Sequence, residues 1–104
     1  MLVIREVFHC KPGKVRAMVE KFQAMAKLMP SNQSQGMRVL TDFAGERYWT
    51  VVAEMQVASM AEFEKMMSGE GMSEEDGKKM EKIMEGYHDL VDQGYREVFK
   101  IEEA

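Results

Sequence analysis

The feature that most constrains this sequence is that its strand-like segments are apolar on both of their alternating faces. Residues 47–56 (RYWTVVAEMQ) place Trp49, Val51, Ala53 and Met55 on one face and Tyr48, Thr50, Val52 and Glu54 on the other, because successive strand side chains point to opposite sides. Residues 2–10 behave alike. Leu2, Ile4 and Phe8 share a face with Glu6, while Val3 and Val7 share the opposite face with Arg5 and His9. In residues 95–101, Tyr95, Phe99 and Ile101 sit with Glu97. A sheet of such strands needs cover on both sides, and the helices of a 104-residue chain can cover only one. Each 100 Å² of apolar surface removed from water contributes about 2.5 kcal/mol before ordering costs. The expectation is a homodimer through the sheet face, the twofold form being the commonest. Charges inside that contact must be paired or wet.

Between the strands the period changes. After the turn Lys11-Pro12-Gly13-Lys14, Val15, Met18, Val19, Phe22, Met25, Ala26 and Met29 recur at helical spacing. Pro30 and the polar run 31–36 (SNQSQG) end that helix. Residues 37–43 alternate as a strand, and Ala44-Gly45-Glu46 is a hairpin connection to 47–56. Ser59 and Glu62 read as a capping box ahead of Met60, Phe63, Met66 and Met67. Ser73 is a second N-cap, with Glu74, Glu75 and Asp76 where the helix dipole favours anions. Met80, Ile83, Met84, Tyr87, Leu90 and Val91 are expected to continue one helical stripe, ended by Gly94. The order β-α-β-β-α-α-β predicts an α+β fold: a ferredoxin-like βαββαβ arrangement, residues 1–104 forming one domain. Its sheet is four-stranded and antiparallel, and its second helix is broken in two. Arg-Glu-Val-Phe stands at 5–8 and again at 96–99, so adjacent antiparallel first and last strands would let Arg and Glu pair.

Composition narrows the partners. A net charge of −4 with dispersed lysines and arginines argues against nucleic acid, which needs a dense basic patch. No apolar run approaches the roughly 20 residues that span a bilayer, so no membrane partner is expected. MLVIREVFHC is interrupted by Arg5 and Glu6 and reads as a strand rather than a leader. Cys10 is the single cysteine and reads as a buried thiol, consistent with an expected cytoplasmic setting. The 12 methionines fall mostly at apolar helix positions, where they fill the core. A methionine-rich wall can also adapt to a ligand.

Several side chains are candidates for chemistry. His9 can serve as a general base, or simply hold a hydrogen bond at a strand end. Glu6 and Glu54 can form an acid–base pair, or salt bridges with Arg5, Arg38 or Arg96. Trp49 is a substrate platform or a core residue. His88, Asp89 and Asp92 project at most two ligands one way, so no metal is expected, nor any other cofactor. Ser68-Gly69-Glu70-Gly71 lacks the lysine of a phosphate loop; it reads as a helix-connecting loop able to act as a lid.

The first strand running into Lys11-Pro12-Gly13-Lys14, the hairpin, and Ser59-Met60-Ala61-Glu62-Phe63-Glu64-Lys65 resemble the dimeric α+β barrel superfamily. Its members include NIPSNAP proteins, antibiotic-biosynthesis-type monooxygenases and heme-degrading monooxygenases. The resemblance implies two sheets facing each other across a dimer, with a ligand cavity in each subunit between sheet and helices. Ile4, Glu6 and Phe8 would point into it, with Tyr48, Trp49 and Tyr95 as available aromatics and Glu54 as a further polar group. The heme-degrading pattern is not matched. Glu6 stands where those members carry asparagine, Met66 where they carry tryptophan, and no histidine lies between Gly71 and Gly86. The first reading is a homodimer of this type binding a small apolar or aromatic molecule, with cofactor-independent monooxygenation of a quinol-like substrate as its finer form; His9 and Glu6 are the catalytic candidates that the residues themselves offer for it. The alternative is a non-catalytic stress-associated or interaction module whose barrel serves dimerisation.

Overall fold

The computed structural model describes residues 1–29, 37–69 and 72–102. Pro30, the whole polar run 31–36 expected to end the first helix, and Glu70-Gly71 of the expected lid lie outside them. The elements are β1 (Leu2–Cys10), α1 (Val15–Leu28), β2 (Arg38–Thr41), β3 (Thr50–Val57), α2 (Met60–Met67), α3 (Glu74–Met84), a 3-10 turn (Tyr87–Asp89) and β4 (Val91–Lys100). The strands form one sheet in the order β2-β3-β1-β4, every pairing antiparallel. This is the ferredoxin-like α+β arrangement expected from the sequence.

The helix boundaries follow local chemistry. The Ser59 hydroxyl accepts from the Glu62 amide (3.3 Å) and that of Ser73 from the Asp76 amide (3.1 Å), so both expected N-caps form. Lys78 and Lys79 reach Glu74 (3.9 Å) and Glu75 (3.6 Å) on the wet side of α3. That helix does not continue to Gly94. It stops at Met84, and Gly86 turns the chain at φ 79°, a left-handed conformation that glycine adopts without steric cost. Tyr87, Leu90 and Val91 still pack on the core, but from the 3-10 turn and the start of β4. The last strand is correspondingly longer than residues 95–101, and Gly94 lies inside it. A Cβ there would sit 2.8 Å from the Phe8 ring, which crosses the strand at that point.

The hairpin differs too. β3 begins at Thr50 instead of residue 47, and the connection runs from 42 to 49 rather than over three residues. Asp42 sets this: its Oδ1 accepts from the Thr50 amide (2.8 Å), while its own amide donates to the Thr50 carbonyl (3.2 Å). Trp49, expected in line with Val51, leaves the strand at φ 61°, and its carbonyl accepts from the Cys10 amide (2.8 Å).

The helices lie on the sheet face that carries Ile4, Phe8, Cys10, Val51 and Ala53. α1 contributes Met18, Val19 and Phe22 to the main core, and α2 places Phe63 against Ile4 and Val57. The opposite face has no helix. It displays Arg5, Val7 and His9 of β1, Thr50, Val52 and Glu54 of β3, and Tyr95, Glu97 and Phe99 of β4, as the strand register requires. The Cα atoms span only 18 Å in the thinnest direction, the depth of two layers. Ile4 is completely buried. Ile4→Ala is expected to cost about 2–5 kcal/mol in urea unfolding. Tyr48→Ala, at an exposed side chain, is expected to change stability by less than about 0.5 kcal/mol.

Candidate functional site

The helix layer stops short of β4, and the gap is a cleft of about 500 Å³ between that strand and the 3-10 turn. Phe8 forms one wall. Its ring meets Phe22 of α1 (centroids 5.5 Å apart) and Tyr87 edge-on (6.0 Å, 81°), a geometry favoured by ring quadrupoles. The polar side is Glu6 with Arg96. These residues face each other across β1 and β4, and the Arg96 Nε donates to the Glu6 carboxylate. The Arg96 guanidinium also stacks on Phe63, 4.9 Å from its centroid, which holds it in place from the α2 side. His88, stacked on Tyr87 at 4.0 Å, and Asp92 complete the rim. The cleft thus combines an aromatic wall with a fixed neighbouring acceptor and donor, the composition small-molecule sites use.

The candidate residues from the sequence separate into four places. Glu6 and Phe8 line this cleft. Ile4 is on the same face but fully packed against Val57 and Phe63. His9 and Glu54 lie on the opposite, helix-free face. Tyr48 and Trp49 line a separate hollow of about 310 Å³ with Val15, Thr41 and Asp42. His9 and Glu6 therefore cannot act on one bound molecule within a subunit. The same holds for Glu6 and Glu54, both of which are in salt bridges. Glu54 lies 3.2 Å from Arg5 Nε and also binds Arg38. His88 and Arg96 belong to the cleft although neither was expected in a ligand cavity. The pairing of Phe8 with Gly94 is the signal that would have placed them there, since it lets β4 begin before residue 95.

Two titratable groups are shifted. Burial, and next the charge of Arg47, lowers the His9 pKa from its usual value of 6.5. Its Nδ1 lies 3.1 Å from the Thr50 hydroxyl, the hydrogen-bond partner foreseen for a strand-end histidine. Burial, followed by Asp42 and Asp92, raises the Cys10 thiol, which therefore stays protonated at neutral pH and is a poor nucleophile. Among the described residues no group of three or more His, Cys, Asp or Glu could hold a metal ion. No described helix is long and apolar enough to cross a membrane.

The architecture is shared with solved structures. A NIPSNAP-like domain protein of Burkholderia xenovorans superposes with a TM-score of 0.70 at 10% identity, over 97% of this chain and 84% of that one. A NIPSNAP family protein of Agrobacterium tumefaciens gives 0.70 at 11% identity over 98% and 93%. A Pseudomonas aeruginosa protein gives 0.64 at 14% over 97% and 94%. At such identities the likeness is one of fold, and at that level the resemblance to NIPSNAP-like proteins is borne out. No family model and no curated protein matches the sequence.

His9 yields a pH prediction. Its folded pKa lies below the unfolded value, so the unfolded chain binds the proton more readily. Its contribution to stability is complete above about pH 6.5, is lost as pH falls below that value, and levels off below the folded pKa. His9→Gln should show a smaller loss of stability than the wild type between pH 7 and 5 in urea titrations. Parallel losses would contradict the assignment.

Proposed function

We propose that the chain is a homodimeric small-molecule-binding protein that takes a small apolar or aromatic ligand in the cleft between β4 and the 3-10 turn. The observation that carries this reading is the Glu6–Arg96 pair facing the aromatic wall of Phe8 and Tyr87. A guanidinium held by a carboxylate and an aromatic face offers oriented donors without needing to reorganise.

The homodimer part rests on the helix-free face. There Tyr95 and Phe99 are 42% and 49% exposed, and Tyr95 borders a bowl of about 820 Å³ lined also by Val7, His9 and Val52. Glu54 on this face is already matched by Arg5 and Arg38, whereas Asp42, Glu46, Arg47 and Glu97 around the bowl make no ion pair among the described residues and would have to pair across the contact or stay wet. The finer form of the reading is cofactor-independent monooxygenation of an aromatic or quinol-like substrate, with Glu6 as the polar group at the reacting ring.

Titration with 1-naphthol, followed by NMR, should shift Phe8, Tyr87 and Arg96 signals, and Tyr87→Ala should weaken binding about tenfold. Absence of binding at millimolar concentration, with the dimer intact, would leave a dimerisation or interaction module instead. Oxygen uptake with a naphthoquinol, lost in Glu6→Gln, tests the catalytic form. In sedimentation equilibrium the wild type should be a dimer at micromolar concentration and Val52→Glu a monomer. A monomeric wild type would refute the homodimer.

A further inference from the structure

A further concave site lies on the far side of the helix layer, where α1 and α3 pack together. Ala24, Lys27 and Leu28 of α1 border a groove of about 510 Å³ with Lys79, Lys82 and Ile83 of α3. Both triplets have the spacing i, i+3, i+4, so each forms one stripe along its helix. They are separate from Met18, Val19 and Phe22, which α1 turns toward the sheet. Lys21 ties the two helices together. Its Nζ donates to the Ile83 carbonyl (2.7 Å) and the Glu85 carbonyl (2.9 Å), satisfying acceptors that the end of α3 would otherwise leave open.

The charge of the groove differs from that of the chain. Its lining holds three lysines and no acidic residue, whereas the whole sequence has net charge −4. Lys79 reaches Glu75 (3.6 Å) and Asp76 (4.0 Å), but exposed pairs of this kind contribute little. Lys27 and Lys82 make no ion pair among the described residues. Ala24, Leu28 and Ile83 are half-buried, while all three lysines are exposed. An apolar floor under a cationic rim suits a molecule that is itself divided. Inorganic phosphate would leave the floor unused, and a neutral hydrocarbon would leave the rim unused. Lysine stems can lie along an alkyl chain while their ammonium groups meet its head.

We propose that this groove binds a free medium-chain fatty carboxylate, its chain on Ala24, Leu28 and Ile83 and its carboxylate at Lys27 and Lys82. The site is distinct from the cleft at Glu6 and Arg96 and does not depend on it. The test is calorimetric titration of the full chain with decanoate below its micellar concentration, with methyl NMR of Leu28 and Ile83. Expected are one decanoate per chain, shifts at both methyl groups, and at least tenfold weaker binding of 1-decanol. The double variant Lys27→Gln/Lys82→Gln should lose about tenfold in affinity, Lys27→Arg/Lys82→Arg should keep it, and Tyr87→Ala should not change it. Equal binding of decanol, an unaffected glutamine variant, or shifts confined to Phe8 and Tyr87 would overturn the proposal. So would co-sedimentation with phosphatidylglycerol vesicles without decanoate binding, or self-association abolished by Leu28→Glu, which would assign the groove to a membrane surface or a second copy.

Discussion

The alternation of β1 sets the character of both sheet faces. The strand lies between β3 and β4, so its side chains have neighbours on both sides and its parity is inherited by the whole sheet. Ile4, Glu6 and Phe8 go to the helices, while Arg5, Val7 and His9 go to the other side. A slip of one residue would bury Arg5 and His9 beneath α1 and α2 and expose Ile4. The core cluster of Cys10 with Met18, Phe22 and Val51 fixes the register against that slip.

The same parity sorts the charges. On the helix side, Glu6 meets Arg96, and the pair occupies the gap between the core under α1 and the smaller cluster under α2. On the helix-free side, Glu54 is held by Arg5 and Arg38. Neither carboxylate is left alone in apolar surroundings, where an unpaired charge would be strongly destabilising. Both faces therefore carry polar centres without giving up their apolar character. One centre adjoins a cleft bounded by aromatic rings; the other lies on the helix-free face, where its Arg5 borders the bowl.

Much of the fold was legible because it rests on periods and caps. The seven-residue stripe from Val15 to Met29, the serines at 59 and 73, and the two Arg-Glu-Val-Phe segments all reported local or pairwise chemistry. The duplicated segment predicted the contact that forms, Glu6 with Arg96. What misled was a helical spacing that ran past its helix. Tyr87, Leu90 and Val91 keep the apolar rhythm of α3, yet Gly86 takes a left-handed turn and the same residues reach the core from a 3-10 turn and a strand. That error hid the start of β4, and with it the place of His88 and Arg96 beside Glu6. Trp49 is a second case. Strand spacing put it in line with Val51, but the Asp42–Thr50 contacts close the ladder one residue later and send it out of the sheet. Which face of β1 meets the helices was undecidable from its residues alone, since each face pairs apolar groups with a charge.

The proposed homodimer has the helix-free face covered in solution by the same face of a second copy. It is tested most directly by isotope-filtered NOE spectroscopy on a mixture of labelled and unlabelled chains. Intermolecular NOEs are expected from the methyl groups of Val7 and Val52 to Tyr95 or Phe99 of the other copy. Their absence, with those methyl groups in contact only with their own chain and with water, would contradict it.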